Sequence, residues 1–130
     1  MLKKHLYTIL FISWLVFITL LSLFSFKDID DTGIEIPHID KITHFIFYAV
    51  FAVLGCLYLK EQKKESFQLN REVLKMLGIA ILYGIAIEIL QDLMPFDRAA
   101  EILDVLANTL GAIFGSLLIK KYLSRIRKLK

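Results

Sequence analysis

The sequence has little of what a soluble protein of its size needs. Only 22% of its 130 residues are charged, whereas 57% are hydrophobic and the mean hydropathy is +0.63. These are too few polar residues to cover the outer surface of a soluble domain. Intrinsic disorder and a nucleic-acid-binding tail are excluded too, because such segments are polar and poor in aromatic residues, and 12% of this chain is aromatic. The composition therefore indicates an integral membrane protein.

Several motifs of enzymes and metal proteins are also missing. The single cysteine, Cys56, excludes an intramolecular disulfide. The chain has no Gly-rich phosphate loop, no paired-histidine spacing and no Ser/His/Asp arrangement with a nucleophile elbow. His44, Glu88 and Asp104 together offer one nitrogen and two oxygens that could ligate an ion, but without such spacing we expect neither a metal nor a cofactor.

Four apolar segments are long enough to cross a bilayer, which needs about 20 mainly apolar residues per helix. They do not alternate with period two and are too long for strands. The 21 uncharged residues of the first exceed the apolar region of a signal peptide, so we expect a retained anchor. We predict an all-α fold, an integral membrane four-helix bundle forming a single domain over residues 1–130. Its predicted helices span residues 6–26, 42–59, 73–94 and 102–119.

The distribution of Lys and Arg predicts the orientation in the membrane. Of the 16 basic residues, 13 lie in the N-terminal segment, the middle loop and the C-terminal tail, and 3 lie in the two other loops. Basic residues near helix ends concentrate on the cytoplasmic side. Both termini are therefore predicted to be cytoplasmic, and the basic tail is expected to attract anionic lipid.

The polar residues within these segments all fall at one level of the membrane. In this orientation His44 lies near the outer end of the second segment, Glu88 and Gln91 in the outer half of the third, and Asp104 and Asn108 in the outer half of the fourth. A charge at the helix centre costs roughly 2.5–3.5 kcal/mol, so we expect these residues to share a cavity, with Glu88 either paired or protonated. The predicted polar pocket comprises Asp40, Lys41, His44, Glu88, Gln91, Arg98, Asp104 and Asn108.

Small residues continue the polar faces toward the cytoplasm. Gly111 and Gly115 follow Asp104 on one helix face at i+7 and i+11, and Gly84 precedes Glu88 by four residues. Glycines at such spacings let helix backbones approach closely in membranes. The first segment has no ionisable group in its span, so we expect it to pack at the periphery.

Together these residues form a pattern typical of a known family. The motif D-K-x-x-H begins at Asp40, E-x-x-Q at Glu88, and D-x-x-x-N-x-x-G-x-x-x-G at Asp104, with Arg98 between the last two. On these motifs residues 38–119 resemble the VanZ-like family of small bacterial membrane proteins.

The resemblance implies a multi-pass protein of the bacterial cytoplasmic (inner) membrane. The founding member is an accessory glycopeptide-resistance protein linked to reduced teicoplanin susceptibility, and most members have no assigned activity. The chain departs from the family at Pro95-Phe96-Asp97-Arg98, where Pro-Gly-Arg is usual.

Four functions remain open from the sequence. The first is an accessory envelope protein whose polar pocket holds a lipid headgroup or envelope precursor. The second is an intramembrane enzyme acting on a lipid-linked substrate, with Glu88 and His44 in acid/base roles and Arg98 orienting phosphate. The third is a scaffold locked by the polar cluster, and the fourth is a small transporter. Membrane lipids are the expected partners and nucleic acid is not; the oligomeric state stays open.

Overall fold

The protein folds into four long helices. The computed structural model describes residues 2–23, 39–93 and 102–129, and no strand occurs within these ranges. All four helices are long and apolar enough to cross a membrane, so the predicted all-α membrane fold is confirmed. After a 3-10 helix at Leu2–His5, the elements are α1 (Leu6–Leu23), α2 (Ile39–Lys63), α3 (Leu69–Leu93) and α4 (Ile102–Leu129).

Three of the helices extend well past the apolar runs that predicted them. The stretch from Lys60 to Glu72 was expected to be a polar loop, yet α2 continues to its end at Lys63 and α3 begins at Leu69. Only a 3-10 helix at Lys64–Ser66 and two further residues separate them. An apolar run measures the part of a helix that lies in hydrocarbon, whereas Lys, Glu and Gln are good helix formers that continue it into water.

Helices α2 and α4 run parallel and touch backbone to backbone. A Cβ atom added to Gly111 would collide with the carbonyl group of Phe45, and one added to Gly115 would collide with that of Ala49. The two contacts lie four residues apart on both helices and in the same direction, which defines a parallel pair. Of the three glycines expected to permit close approach, Gly111 and Gly115 therefore lie where these two backbones meet, whereas Gly84 faces the side chains of Tyr48 and Asn108.

Helix α1 packs at the edge of the bundle, against α2 and α3. In its most apolar stretch 17% of the residues are buried, against 33–44% in the other three helices, which agrees with the predicted peripheral position. Side chains in the middle of α1 attach it to both neighbours: the Trp14 indole donates to the carbonyl oxygen of Phe47 on α2 at 2.9 Å, and Thr19 bonds the hydroxyl of Tyr83 on α3.

The first turn of α1 is capped by a carboxylate from α2. The backbone N–H groups of Tyr7 and Thr8 donate to the two Glu61 carboxylate oxygens at 2.9 and 3.3 Å, and the Thr8 hydroxyl donates as well, at 2.7 Å. The first N–H groups of a helix have no partner within it, and the helix dipole favours an anion there. Glu61 thus anchors the start of α1 to the end of α2.

The outer surface of the helices is apolar. Leu82 on α3 is 69% exposed and Leu117 on α4 is 62% exposed, and large Leu, Ile and Phe side chains cover the outward faces of all four helices. Contiguous apolar surface of this extent is unfavourable in water but suits the acyl chains of a bilayer. The packed interior is partly aromatic: Phe51 contacts the rings of Phe11, Tyr48 and Tyr83.

Candidate functional site

Three helices bring buried ionisable side chains together at one end of the bundle. His44 lies near the start of α2, Asp104 in the first turn of α4, and Glu88 near the end of α3. One nitrogen or oxygen from each lies within 4.8 Å of the others, and each residue is at most 5% exposed. With Lys41 and Asn108, which contact them, these residues are called the polar cluster below.

Lys41 neutralises the carboxylate of α4. Its ammonium lies 2.5 Å from Asp104 Oδ1 and 2.7 Å from Asp40 Oδ2. The Asp104 side chain is 7% exposed, while that of Asp40 is 48% exposed, with Lys41 between them at 18%. Of the two acids in this chain of contacts, Asp104 therefore belongs to the interior and Asp40 to the surface.

His44 is oriented by the amide of Asn108. The imidazole Nδ1 lies 2.9 Å from Asn108 Oδ1, which can only accept, so Nδ1 donates this bond. The other ring nitrogen, Nε2, lies 3.8 Å from Asp104 Oδ2. An imidazole held in this way presents Nε2 to the carboxylates and can accept or release a proton there.

Two hydrogen-bond donors at the cluster find no acceptor in the described part of the chain. They are the Tyr48 hydroxyl and the Asn108 side-chain nitrogen, on side chains that are 0% and 1% exposed. Both border Gly84, where an added Cβ would lie 3.2 Å from the Asn108 nitrogen and 3.2 Å from a Tyr48 ring carbon. Buried polar groups are almost always hydrogen-bonded, so two neighbouring donors require an acceptor.

Gln91 and Arg98 complete the account of the predicted pocket residues. Gln91 is buried, but its side-chain nitrogen donates to the backbone oxygen of Ser22 at 2.5 Å. This bond ties α3 to α1, on a different side from the bonds of His44. Arg98 lies outside the described residues, as does the Pro95–Arg98 departure from the family motif.

A comparison with protein-family models identifies the family of this chain. The model described as VanZ/LLP1 matches residues 4–125. The chain belongs to the VanZ/LLP1 family. The match covers α1 as well as the three helices on which the resemblance was based. No curated protein and no solved structure matches the chain.

In this VanZ/LLP1 protein the residues that could hold a cation are His44, Glu88 and Asp104. One nitrogen and two oxygens are a mixed donor set that several divalent metals accept. The Lys41 ammonium, however, already lies against one oxygen of Asp104 and supplies a positive charge there.

Sequence reasoning missed a third buried acid of this VanZ/LLP1 chain, Glu72, at the opposite end of the bundle. Glu72 is 1% exposed, and its Oε1 lies 2.6 Å from the ammonium of Lys63. It was assigned to a polar loop, because an acid beside Arg71 in a charged stretch looks solvated. The signal that could have found it is helical spacing, since Glu72 lies four residues before the buried Met76.

Proposed function

We propose that the protein is an accessory protein of the bacterial cell envelope that binds the polar headgroup of a lipid or lipid-linked envelope precursor in its polar cluster. One observation carries this proposal: the Tyr48 hydroxyl and the Asn108 side-chain nitrogen are buried hydrogen-bond donors at the cluster, and neither has an acceptor in the described part of the chain. Phosphate and carbonyl oxygens, which such headgroups contain, are the acceptors that these donors need.

Lys41 offers a route from the surface into the cluster. It is partly exposed, and it joins exposed Asp40 to buried Asp104. An anionic headgroup arriving at the membrane surface would meet this ammonium first. It could then replace one carboxylate as the partner of Lys41, while its remaining oxygens accept from Asn108 and Tyr48.

The proposal includes an orientation in the cytoplasmic membrane with both termini inside, which positions the polar cluster at the outer leaflet. The excess of Lys and Arg at the other end of the bundle supports it. A green fluorescent protein fused after residue 130 should fluoresce, and an alkaline phosphatase fused there should stay inactive, because the latter folds only outside the cytoplasm. Active phosphatase together with dark fluorescent protein would reverse the orientation.

An intramembrane acid/base enzyme is the second candidate. The approach of His44, Glu88 and Asp104 within 4.8 Å favours it, because a proton can pass between an imidazole and a carboxylate at this separation after a small movement. The substrate would again be lipid-linked, so both candidates place the same chemical class at the same end of the bundle.

Removing one hydroxyl tests the binding proposal. We expect Tyr48→Phe to reduce the amount of lipid or lipid-linked precursor that co-purifies with the protein by roughly fivefold to tenfold, because a hydrogen bond to a charged group contributes about 1.5–3 kcal/mol, partly offset by the easier burial of Phe. Mass spectrometry of lipids extracted from the purified protein measures this. The melting temperature should not fall, since the Tyr48 hydroxyl bonds no described residue.

Tyr83→Phe is the matched control. It also removes one phenol hydroxyl, but one that bonds Thr19 of α1. We expect the reverse pattern, with lower stability and unchanged lipid content. Equal lipid content in both variants and in the wild type would refute binding at the cluster.

The variant Glu88→Gln distinguishes the two candidate functions and tests them in living cells. A binding protein should still retain its lipid and still complement a deletion strain in a teicoplanin-susceptibility assay, whereas an acid/base enzyme should retain its lipid and fail to complement. Loss of both lipid and complementation would indicate that Glu88 itself contacts the headgroup.

A further inference from the structure

A cavity opens at the end of the bundle opposite to the polar cluster. It lies between the end of α2, the short connection to α3 and the last turns of α4, and its volume is about 260 Å³. Three cationic side chains surround it, those of Lys60, Lys64 and Arg127. The volume far exceeds the roughly 10–15 Å³ that one water molecule needs, so a group of several atoms fits.

The rest of the lining is apolar. Phe67 and Leu69 contribute from the connection and the start of α3, and Leu123 contributes from α4. Leu123 is 6% exposed and belongs to the hydrophobic core, whereas the three cations are exposed. The cavity thus has a positive rim and an apolar floor that is continuous with the interior of the bundle.

The acids near these cations in sequence do not line the cavity, including Glu65, which is exposed and directly follows Lys64. Glu61 accepts the amide hydrogens that start α1, and Glu72 pairs with Lys63. Within the described residues neither Lys60, Lys64 nor Arg127 forms an ion pair with a carboxylate. Three positive charges therefore converge on one concave space, and none of them is paired with a carboxylate of the described residues.

The backbone conformation of Lys64 helps to bring the positive charges together at the cavity. Its φ is 49°, in the left-handed region that a side chain other than Gly adopts at a cost of about 1 kcal/mol or more. The turn ends α2 at Lys63 and leads directly into the 3-10 helix, and the Lys64 side chain lines the same cavity as that of Lys60.

We propose that this cavity binds the phosphate headgroup of an anionic glycerophospholipid from the leaflet on that side of the membrane. The rim of Lys60, Lys64 and Arg127 holds the phosphate, with the planar guanidinium able to form two parallel bonds to its oxygens. The floor of Phe67, Leu69 and Leu123 receives the apolar part of the glycerol ester. The site is separate from the polar cluster and does not depend on the function proposed for that cluster.

The apolar floor of the cavity and its position at the helix ends favour a lipid over free phosphate. The rim residues are at the ends of helices that cross the membrane, where headgroups lie, and an inorganic anion would gain nothing from the apolar floor. Juxtamembrane cations attract anionic lipids by about 1 kcal/mol each. Three of them around one cavity turn this general attraction into a localised site.

Native mass spectrometry of the full-length protein in detergent tests the proposal. Phosphatidylglycerol, phosphatidylcholine and inorganic phosphate are titrated against the wild type and against the triple variant Lys60→Gln, Lys64→Gln and Arg127→Gln. We expect one phosphatidylglycerol to bind the wild type at least about tenfold more tightly than it binds the triple variant. Phosphatidylcholine and inorganic phosphate should bind the wild type much more weakly.

A second triple variant, Lys120→Gln, Lys121→Gln and Lys128→Gln, is the matched control. It removes the same number of positive charges from the same end of the bundle, but these exposed side chains do not line the cavity. Its affinity for phosphatidylglycerol should stay within about twofold of the wild type. Equal losses of phosphatidylglycerol affinity in the two triple variants would show general charge attraction only and would overturn the site. Inorganic phosphate that binds as tightly as the lipid would overturn the lipid as the occupant of the cavity.

Because several changes at once can disturb folding, the single variant Lys64→Gln is measured in parallel. Lys64 is exposed and makes no ion pair with a described carboxylate, so the melting temperature should not change while the phosphatidylglycerol affinity falls by roughly threefold to fivefold. Unchanged affinity in this stable variant would contradict a role for the rim.

Discussion

The substitution Gly111→Ala is expected to lower the free energy of unfolding by about 2–3 kcal/mol, although Ala is the better helix former by about 1 kcal/mol. The new methyl group would collide with the backbone carbonyl of Phe45. A carbonyl within a helix cannot rotate away, so α2 and α4 would have to separate along their common length. Thermal unfolding in detergent micelles, followed by circular dichroism, measures the change.

The other glycines form a graded series of controls. Gly78→Ala should be neutral or slightly stabilising, because nothing lies within 4 Å of the added Cβ. Gly55→Ala should be intermediate, because its Cβ meets only the flexible side chain of Met76. Gly115→Ala should resemble Gly111→Ala, since it meets the carbonyl of Ala49. If Gly111→Ala were as stable as Gly78→Ala, close packing of α2 on α4 would be disproved.

The second large effect is expected at Lys41. Lys41→Met should destabilise the protein by about 2–4 kcal/mol, because breaking a buried pair leaves an uncompensated charge. The charge left behind is that of Asp104, whose side chain is 7% exposed and which also lies close to the Glu88 carboxylate.

Two further variants show whether the loss of stability in Lys41→Met comes from the broken ion pair with Asp104. Asp40→Asn removes the other acid that contacts Lys41, but this acid is 48% exposed, so the effect should stay below about 1 kcal/mol. The double variant Lys41→Met/Asp104→Asn should recover at least half of the stability lost in Lys41→Met. It should not recover lipid retention, because the headgroup would still lack its cation. A similar loss in Asp40→Asn and Lys41→Met would place the important charge at the surface.

The sequence was informative about the depth of the polar residues and less so about their direction. Depth follows from position within an apolar run, and His44, Glu88 and Asp104 do lie at one end of the bundle and within reach of one another. Direction depends on which neighbours each helix face meets. Gln91 therefore bonds α1 rather than the cluster, which the spacing E-x-x-Q alone could not distinguish.

Lys41 and Glu72 illustrate the same point at the helix ends. In sequence both look like charged residues flanking the membrane. In the folded chain Lys41 forms an ion pair with buried Asp104, and Glu72 is 1% exposed and pairs with Lys63. Whether a terminal charge is solvated or paired depends on its partner, which lies on another helix for Lys41 and across a turn for Glu72.

The sequence by itself determined that the surroundings of the chain are lipid and that its fold is all-α. The reason is that apolar runs of this length can satisfy their backbone hydrogen bonds in lipid only as helices. The sequence also determined the family, through side chains at set spacings. Only the tertiary structure decided that the backbones of α2 and α4 are in contact, that the donors of Tyr48 and Asn108 at the cluster have no described acceptor, and that Lys60, Lys64 and Arg127 surround one cavity. These features arise from the packing of helices distant in sequence, where the free energy of each contact depends on both partners.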